Sequence, residues 1–276
     1  YCSLKAENIK KAIKEHADVC SFEKEYRDVF SGFDEYLYDE LIEKMTALNI
    51  SKAEATLSAN IFERLKDIPL VDKYEAYQLL DDDWTKIAVD LEIIQTEGFE
   101  ATKRVDPNMV IKKKDGKEQE VQEGWVGRII PFDLIQDTLL ADDKAALKAK
   151  ENRLSEISSE YEELFDSLTE EEKEGDYASE DGFVNAEIKK ALKSDSVEPE
   201  TKEKLRKVAA LATEEKELKA AIKKDAGLLE GKTKETIESL SDEQVIDLLK
   251  DKWITPLIQS LMKLPDSIVN ELVSKL

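Results

Sequence analysis

Side chains with the means to do chemistry are few among these 276 residues. The single histidine, His16, argues against a Ser-His-Asp triad or a multi-histidine metal site. Close to a helix end, it reads as a residue that compensates the helix dipole. Two cysteines, Cys2 and Cys20, cannot frame a disulfide scaffold, and they point to a reduced, cytoplasmic setting. The run Asp81-Asp82-Asp83 offers the oxygen ligands a divalent cation takes. Consecutive helical positions diverge by about 100°, however, so the run reads as a solvated helix face. Lys112, Lys113, Lys114 and Lys117 cluster as a phosphate contact would require, yet residues 105–131 hold five basic and five acidic side chains. Lysines also guard open strand edges, so both readings stand. The sequence has no Gly-rich phosphate loop, Cys-x-x-Cys pair or His-Glu-x-x-His string.

The composition says what kind of scaffold carries these residues. Sixty-three acidic against 41 basic side chains give a net charge of −22, which repels nucleic acid unless a local patch outweighs it. Nine glycines and six prolines are few breakers, and with 38% charged residues they imply long solvated helices. An apolar content of 41% still supplies a core. No segment approaches the roughly 20 apolar residues of a membrane helix, and the start lacks a signal-peptide core. The absence of an initiating Met leads us to expect a piece of a longer protein.

Apolar spacing predicts the elements. Leu4, Ile9 and Ile13 mark a short helix that stops near His16 and Ala17. Phe22, Tyr26, Val29, Phe30 and Phe33 continue at helical spacing. Ser51 and Glu54 form the pattern of a capping box, opening a helix that carries Leu57, Ile61, Phe62 and Leu65. A longer helix runs from Asp72 to a stop at Gly98. Met109 to Val121 reads as a β-hairpin turning at Asp115-Gly116, followed by a third extended piece, Trp125 to Ile130.

After Pro131 a helix of about 35 residues is expected. Leu147, Leu154, Tyr161 and Leu168 recur every seven positions, Ile157 and Leu164 fall three further on, and Lys150 interrupts the seam. A returning helix carries Leu205, Val208, Leu211, Leu218 and Ile222, with Glu215 intruding. Between the two, residues 151–200 hold 17 acidic and five basic side chains. The centre of that stretch, from Thr169 to Gly182, has little to bury and is expected to be a mobile loop. A second capping box, Ser241 with Gln244, opens the tail helices around Trp253.

Taken in order, five landmarks carry a resemblance. They are Ala6-Glu-Asn-Ile-Lys-Lys-Ala-Ile-Lys-Glu-His16, Ile61-Phe-Glu-Arg-Leu-Lys-Asp-Ile-Pro-Leu-Val-Asp-Lys-Tyr-Glu-Ala-Tyr77, Glu97-Gly98-Phe99, Trp125-Val-Gly-Arg-Ile-Ile-Pro131 and Asp251-Lys-Trp253-Ile. Over nearly its whole length the chain resembles the C-terminal part of the modification subunit of type I restriction-modification systems. The resemblance implies a parent subunit that methylates adenine in DNA with S-adenosylmethionine. That chemistry would use a Gly-rich loop and an Asn-Pro-Pro-aromatic motif of an upstream domain. Both are absent here, so no catalytic, cofactor or metal residue carries over. It also implies docking onto the specificity subunit, which reads the DNA. The docking candidates are Leu147, Leu154, Ile157, Tyr161, Leu164, Val208, Leu211, Leu218, Ile222 and Trp253.

The expected fold is mainly α, a helical bundle with a small β-hairpin insert and a long antiparallel coiled-coil arm. Its expected regions are a helical body (1–104), the hairpin insert (105–131), the arm with its acidic loop (132–232) and a helical tail (233–276). The expected role is assembly without activity of its own. Two alternatives stay open: a free-standing helical interaction or scaffolding module, and a hydrolase using the carboxylates around Asp81–Asp83.

Overall fold

Helix α1 (Ala6–Lys14) gives way to α2 (Ala17–Val29) at His16, whose Nδ1 accepts the Asp18 backbone N–H at 3.3 Å. The imidazole, just past the C-terminal end of α1, therefore also caps the start of α2, a role the sequence reading did not assign to it. This computed structural model describes residues 6–114, 117–179, 182–194 and 196–275. Cys2, Leu4, the Asp115-Gly116 turn and the side chains of Ile9, Lys114 and Lys117 lie outside the described residues. Tyr26, Phe30, Phe33, Leu37 and Leu41, spaced by three and four, are all buried. Their helical run continues through α3 (Phe33–Leu37) into a π-helical turn, Tyr38–Glu43.

Helix α4 (Ile50–Arg64) starts at Asn49, two residues before the expected cap. Ser51 thus sits inside the first turn and the Ser51–Glu54 box does not form. Glu54 instead accepts the Tyr77 hydroxyl at 3.0 Å, tying α4 to α5 (Lys73–Glu97). Asp72 caps α5 through the Tyr74 amide at 2.8 Å, and Gly98 ends it as the sequence suggested.

Strands β1 (Val105–Lys114) and β2 (Lys117–Gly127) pair antiparallel from Val105↔Gly127 to Lys114↔Lys117. The expected third extended piece is a correction. Trp125, Val126 and Gly127 are the far end of β2, displaced by a bulge between Pro107↔Trp125 and Met109↔Gln122. Gly124, at φ 72°, supplies the left-handed residue that such a bulge uses. The base of the hairpin is held by Arg128. Its Nη1 meets Asp106 at 2.9 Å, and its fork meets Glu97, with Nε at 2.9 Å. The hydrogen bonds from Arg128 hold the Glu97 carboxyl below its ordinary pKa.

The tail forms α11 (Asp242–Trp253), with the Ser241–Gln244 capping box in place, then α12 (Thr255–Met262) and α13 (Leu264–Lys275). Its residues share the core of the first helices. Trp253 Nε1 donates to Asp90 at 2.8 Å and the Tyr26 hydroxyl donates to the Leu261 carbonyl at 2.8 Å. The chain up to Leu134 and again from Thr236 accordingly makes one unit, and Ile135–Glu235 makes a second.

The single long helix expected after Pro131 is two. Helix α6 (Phe132–Asp137) stops before α7 (Ala141–Asp166), and Leu168 lies beyond the helical seam. The acidic stretch is folded over its described residues, contrary to expectation. It holds α8 (Glu170–Lys173), a two-residue ladder of β3 (Ala178–Ser179) with β4 (Gly182–Phe183), and α9 (Asn185–Ala191). The physical reason is Tyr177, which packs with Leu168, Ile188, Leu205 and Val208 in a small core. Gly175 lets its ring approach, since a Cβ there would stand 2.4 Å from it. Helix α10 (Pro199–Glu238) then returns.

Candidate functional site

The seam residues sit on α7 and on α10, and polar pairs set how the two helices lie. Asp143 pairs with Lys232, Lys150 with Asp225, Arg153 with Glu214, and the Ser167 carbonyl with Lys204. Residue numbers on one helix rise as those on the other fall, so α7 and α10 run antiparallel. Lys150 and Glu215, which interrupt the apolar repeat, are cross-links: the Tyr161 hydroxyl donates to Glu215 at 3.2 Å. Burial, then the Glu215 charge, push the Tyr161 pKa up to about 12.

Arg153 is the centre of this array. It meets Glu214 with two parallel hydrogen bonds, 2.7 and 3.0 Å, and Glu160 at 2.5 Å. Such a fork-on-carboxylate pair fixes register as well as charge. The Arg153 bonds hold the Glu214 carboxyl below its ordinary range. Sequence reasoning passed over this pair, because neither residue breaks the apolar repeat.

The seam closes unevenly. Ile157 and Val208 are fully buried and Leu211 is 7% exposed. Leu147, Leu154, Tyr161, Leu164, Leu218 and Ile222 remain half-buried, and Leu228 is 61% exposed. Two grooves follow from this. One, of about 500 Å³, has Leu164, Ala210 and Leu211 among its lining, with Glu160, Glu163 and Lys207. The other, of about 260 Å³, is lined by Leu147, Leu228 and Leu229 with Asp143, Asp225 and Lys232.

Trp253, expected among the docking residues, is placed elsewhere. At 1% exposure its indole lies in the core of the first unit and offers a partner no surface. It helps to hold Asp90, 5% exposed, together with Lys252 at 2.5 Å, which also donates to the Ile129 carbonyl. The signal for Asp90 was in the sequence: it falls on the apolar stripe of Ile87, Leu91 and Ile94.

Of the remaining candidates, Lys112, Lys113, Asp82 and Asp83 have partners of their own. Lys112 pairs across the hairpin with Glu123, and Lys113 lies 4.0 Å from Glu118. Asp82 accepts Gln78 at 2.9 Å and Asp83 lies 3.6 Å from Lys86. Among the described residues no three His, Cys, Asp or Glu side chains are grouped to hold a metal. Nor is any helix among them long and apolar enough to cross a membrane. No family model, curated protein or solved structure matches this chain.

Proposed function

We propose that the chain is an assembly region of a cytoplasmic type I restriction-modification complex, the C-terminal part of its adenine-specific DNA methyltransferase subunit. In this reading α7 and α10 form a coiled-coil arm that docks on the specificity subunit. The observation that carries it is the uneven seam: six apolar residues of the stripe stay half-buried although the two helices are cross-linked along their length. An antiparallel pair of this kind gains further burial when a partner's helices complete a bundle.

The physical sense of the arrangement is positional. Taking an adenine out of the duplex costs a few kcal/mol, so the methyltransferase must be fixed relative to the DNA. A helical tie to the subunit that reads the sequence supplies that fixation. DNA is met through the whole complex, and the acidic surface of this chain keeps duplex off its own flanks. S-adenosylmethionine belongs to the upstream catalytic domain in this scheme.

Gel filtration of the chain with a cognate specificity subunit tests the proposal. Co-elution at micromolar concentration is expected, and its loss in a Leu154→Glu, Leu218→Glu variant that keeps its helical circular dichroism. Failure of the unsubstituted chain to co-elute overturns the proposal, as does unimpaired binding by the variant.

A further inference from the structure

Beside α7 opens a cleft of about 530 Å³, walled by Tyr161, Phe165 and Phe183 and edged by Glu162, Asp166 and Asn185. The rings are fixed from behind. Phe165 and Phe183 meet edge-to-face, centroids 5.3 Å apart at 88°, and Tyr161 is tied to Glu215. Phe183 is held by its ladder with Ala178 and by the Val184 N–H, which donates to the Tyr177 carbonyl at 2.9 Å.

The edge is chemically different. Glu162 and Asp166 stand one helical turn apart, exposed, and neither has an ion-pair or hydrogen-bond partner among the described residues. Asp143, Glu151, Glu156 and Glu160 of the same helix each face a cation, whereas these two open charges lie beside aromatic walls. The Phe165 ring already takes one cation, Lys173 Nζ at 5.5 Å from its centroid. Lys173 lies 3.4 Å from Glu170, which answers its charge locally. The free carboxylates are therefore left for a cation from outside.

Half-buried aromatic faces with carboxylates at their rim suit a flat cation on an apolar stem. A guanidinium stacks on rings, is weakly hydrated, and bonds a carboxylate with two parallel N–H groups. The net charge of −12 over residues 151–200 draws basic ligands toward this face. We infer that the cleft binds an arginine side chain presented by a basic segment of another protein. The stem lies along Phe165 and Phe183, and the guanidinium sits between Glu162 and Asp166. The cleft shares Tyr161 with the docking stripe, but the inference does not rest on the assembly role proposed above.

An amide-resolved NMR titration of the full chain tests it, using acetyl-Gly-Arg-Gly-amide, the same peptide with neutral citrulline in place of arginine, and spermidine. The arginine peptide is expected to give saturable shifts confined to residues 161–166 and 182–185, with a Kd on the order of a millimolar. The citrulline peptide is expected to bind about tenfold more weakly, and so is the arginine peptide to a Glu162→Gln, Asp166→Asn variant. Both positions are exposed, so the variant keeps its spectrum elsewhere. Non-saturating shifts spread over the acidic surface overturn the inference, as does equal binding of the citrulline peptide or undiminished binding by the variant. Tighter binding of spermidine than of the arginine peptide overturns the assignment to a protein side chain.

Discussion

Asp90 places a carboxylate in an apolar stripe, where an unpartnered charge is not tolerated, and two donors from the tail answer it. Replacing it with Ala leaves Lys252 facing the core without its counter-charge, which we expect to cost about 3 kcal/mol. Urea unfolding reads this as a lower midpoint at unchanged slope. An unchanged midpoint would show that Lys252 finds solvent instead. Glu172 poses the opposite problem in the second unit. Burial works against its charge, but the Thr201 hydroxyl (2.6 Å), the Thr169 amide (2.7 Å) and Lys204 (3.0 Å) outweigh it. Its pKa falls from 4.5 to about 2. A carboxyl more acidic in the folded than in the unfolded chain stabilises fully above the unfolded value, and that stabilisation is lost as pH drops toward the folded one. Glu172→Gln keeps the capping geometry and loses the charge. Its melting temperature is therefore expected to lie below that of the unsubstituted protein above about pH 5. The gap should close between pH 4.5 and 2, and a gap independent of pH would rule out the charge as its source.

Elements were legible where one side chain or one period decides them. Asp72, Gly98, Ser241 and the seven-residue spacing of Leu147, Leu154 and Tyr161 each act within a turn or two of chain. They were illegible where a distant group intervenes. The stretch from Thr169 to Gly182 looks too polar to fold because its own apolar content is one tyrosine and a few small residues. What folds it is supplied by Leu205, Val208, Thr201 and Lys204 from α10, about thirty residues on. The seam itself was readable, but its divided burial was not, since periodicity marks a stripe without saying how much of it a neighbour covers. The fit of the Tyr177 ring over Gly175 gives the test at this scale. Gly175→Ala brings a methyl group to within van der Waals overlap of the ring. Amide exchange is expected to quicken by about tenfold over residues 169–179 while α5 keeps its protection. Uniform quickening across the chain would mean that the acidic segment has no separate stability.

At the scale of the whole chain, the long-range closures govern stability and are the part a local reading reaches least. The sequence marks tail helices but cannot say that Leu261 accepts the hydroxyl of Tyr26, or that Asp266 meets Lys14 at 2.6 Å. These contacts join the two ends of the chain, and Leu257, Leu261 and Val269 are almost wholly buried there. Removing residues 255–276 takes away three core side chains, each worth about 1.5–3 kcal/mol of burial. The sum is comparable with the whole stability of an ordinary domain, about 5–15 kcal/mol. All three tryptophans, Trp84, Trp125 and Trp253, fall in the first unit, so their fluorescence reports on it alone. The truncated chain is expected to show red-shifted tryptophan emission while much of its helical circular dichroism persists from α7 and α10. Emission that stays blue would mean the first helices close their core without the tail. A collapse of all helical signal would mean that Ile135–Glu235 depends on the first unit for its own fold.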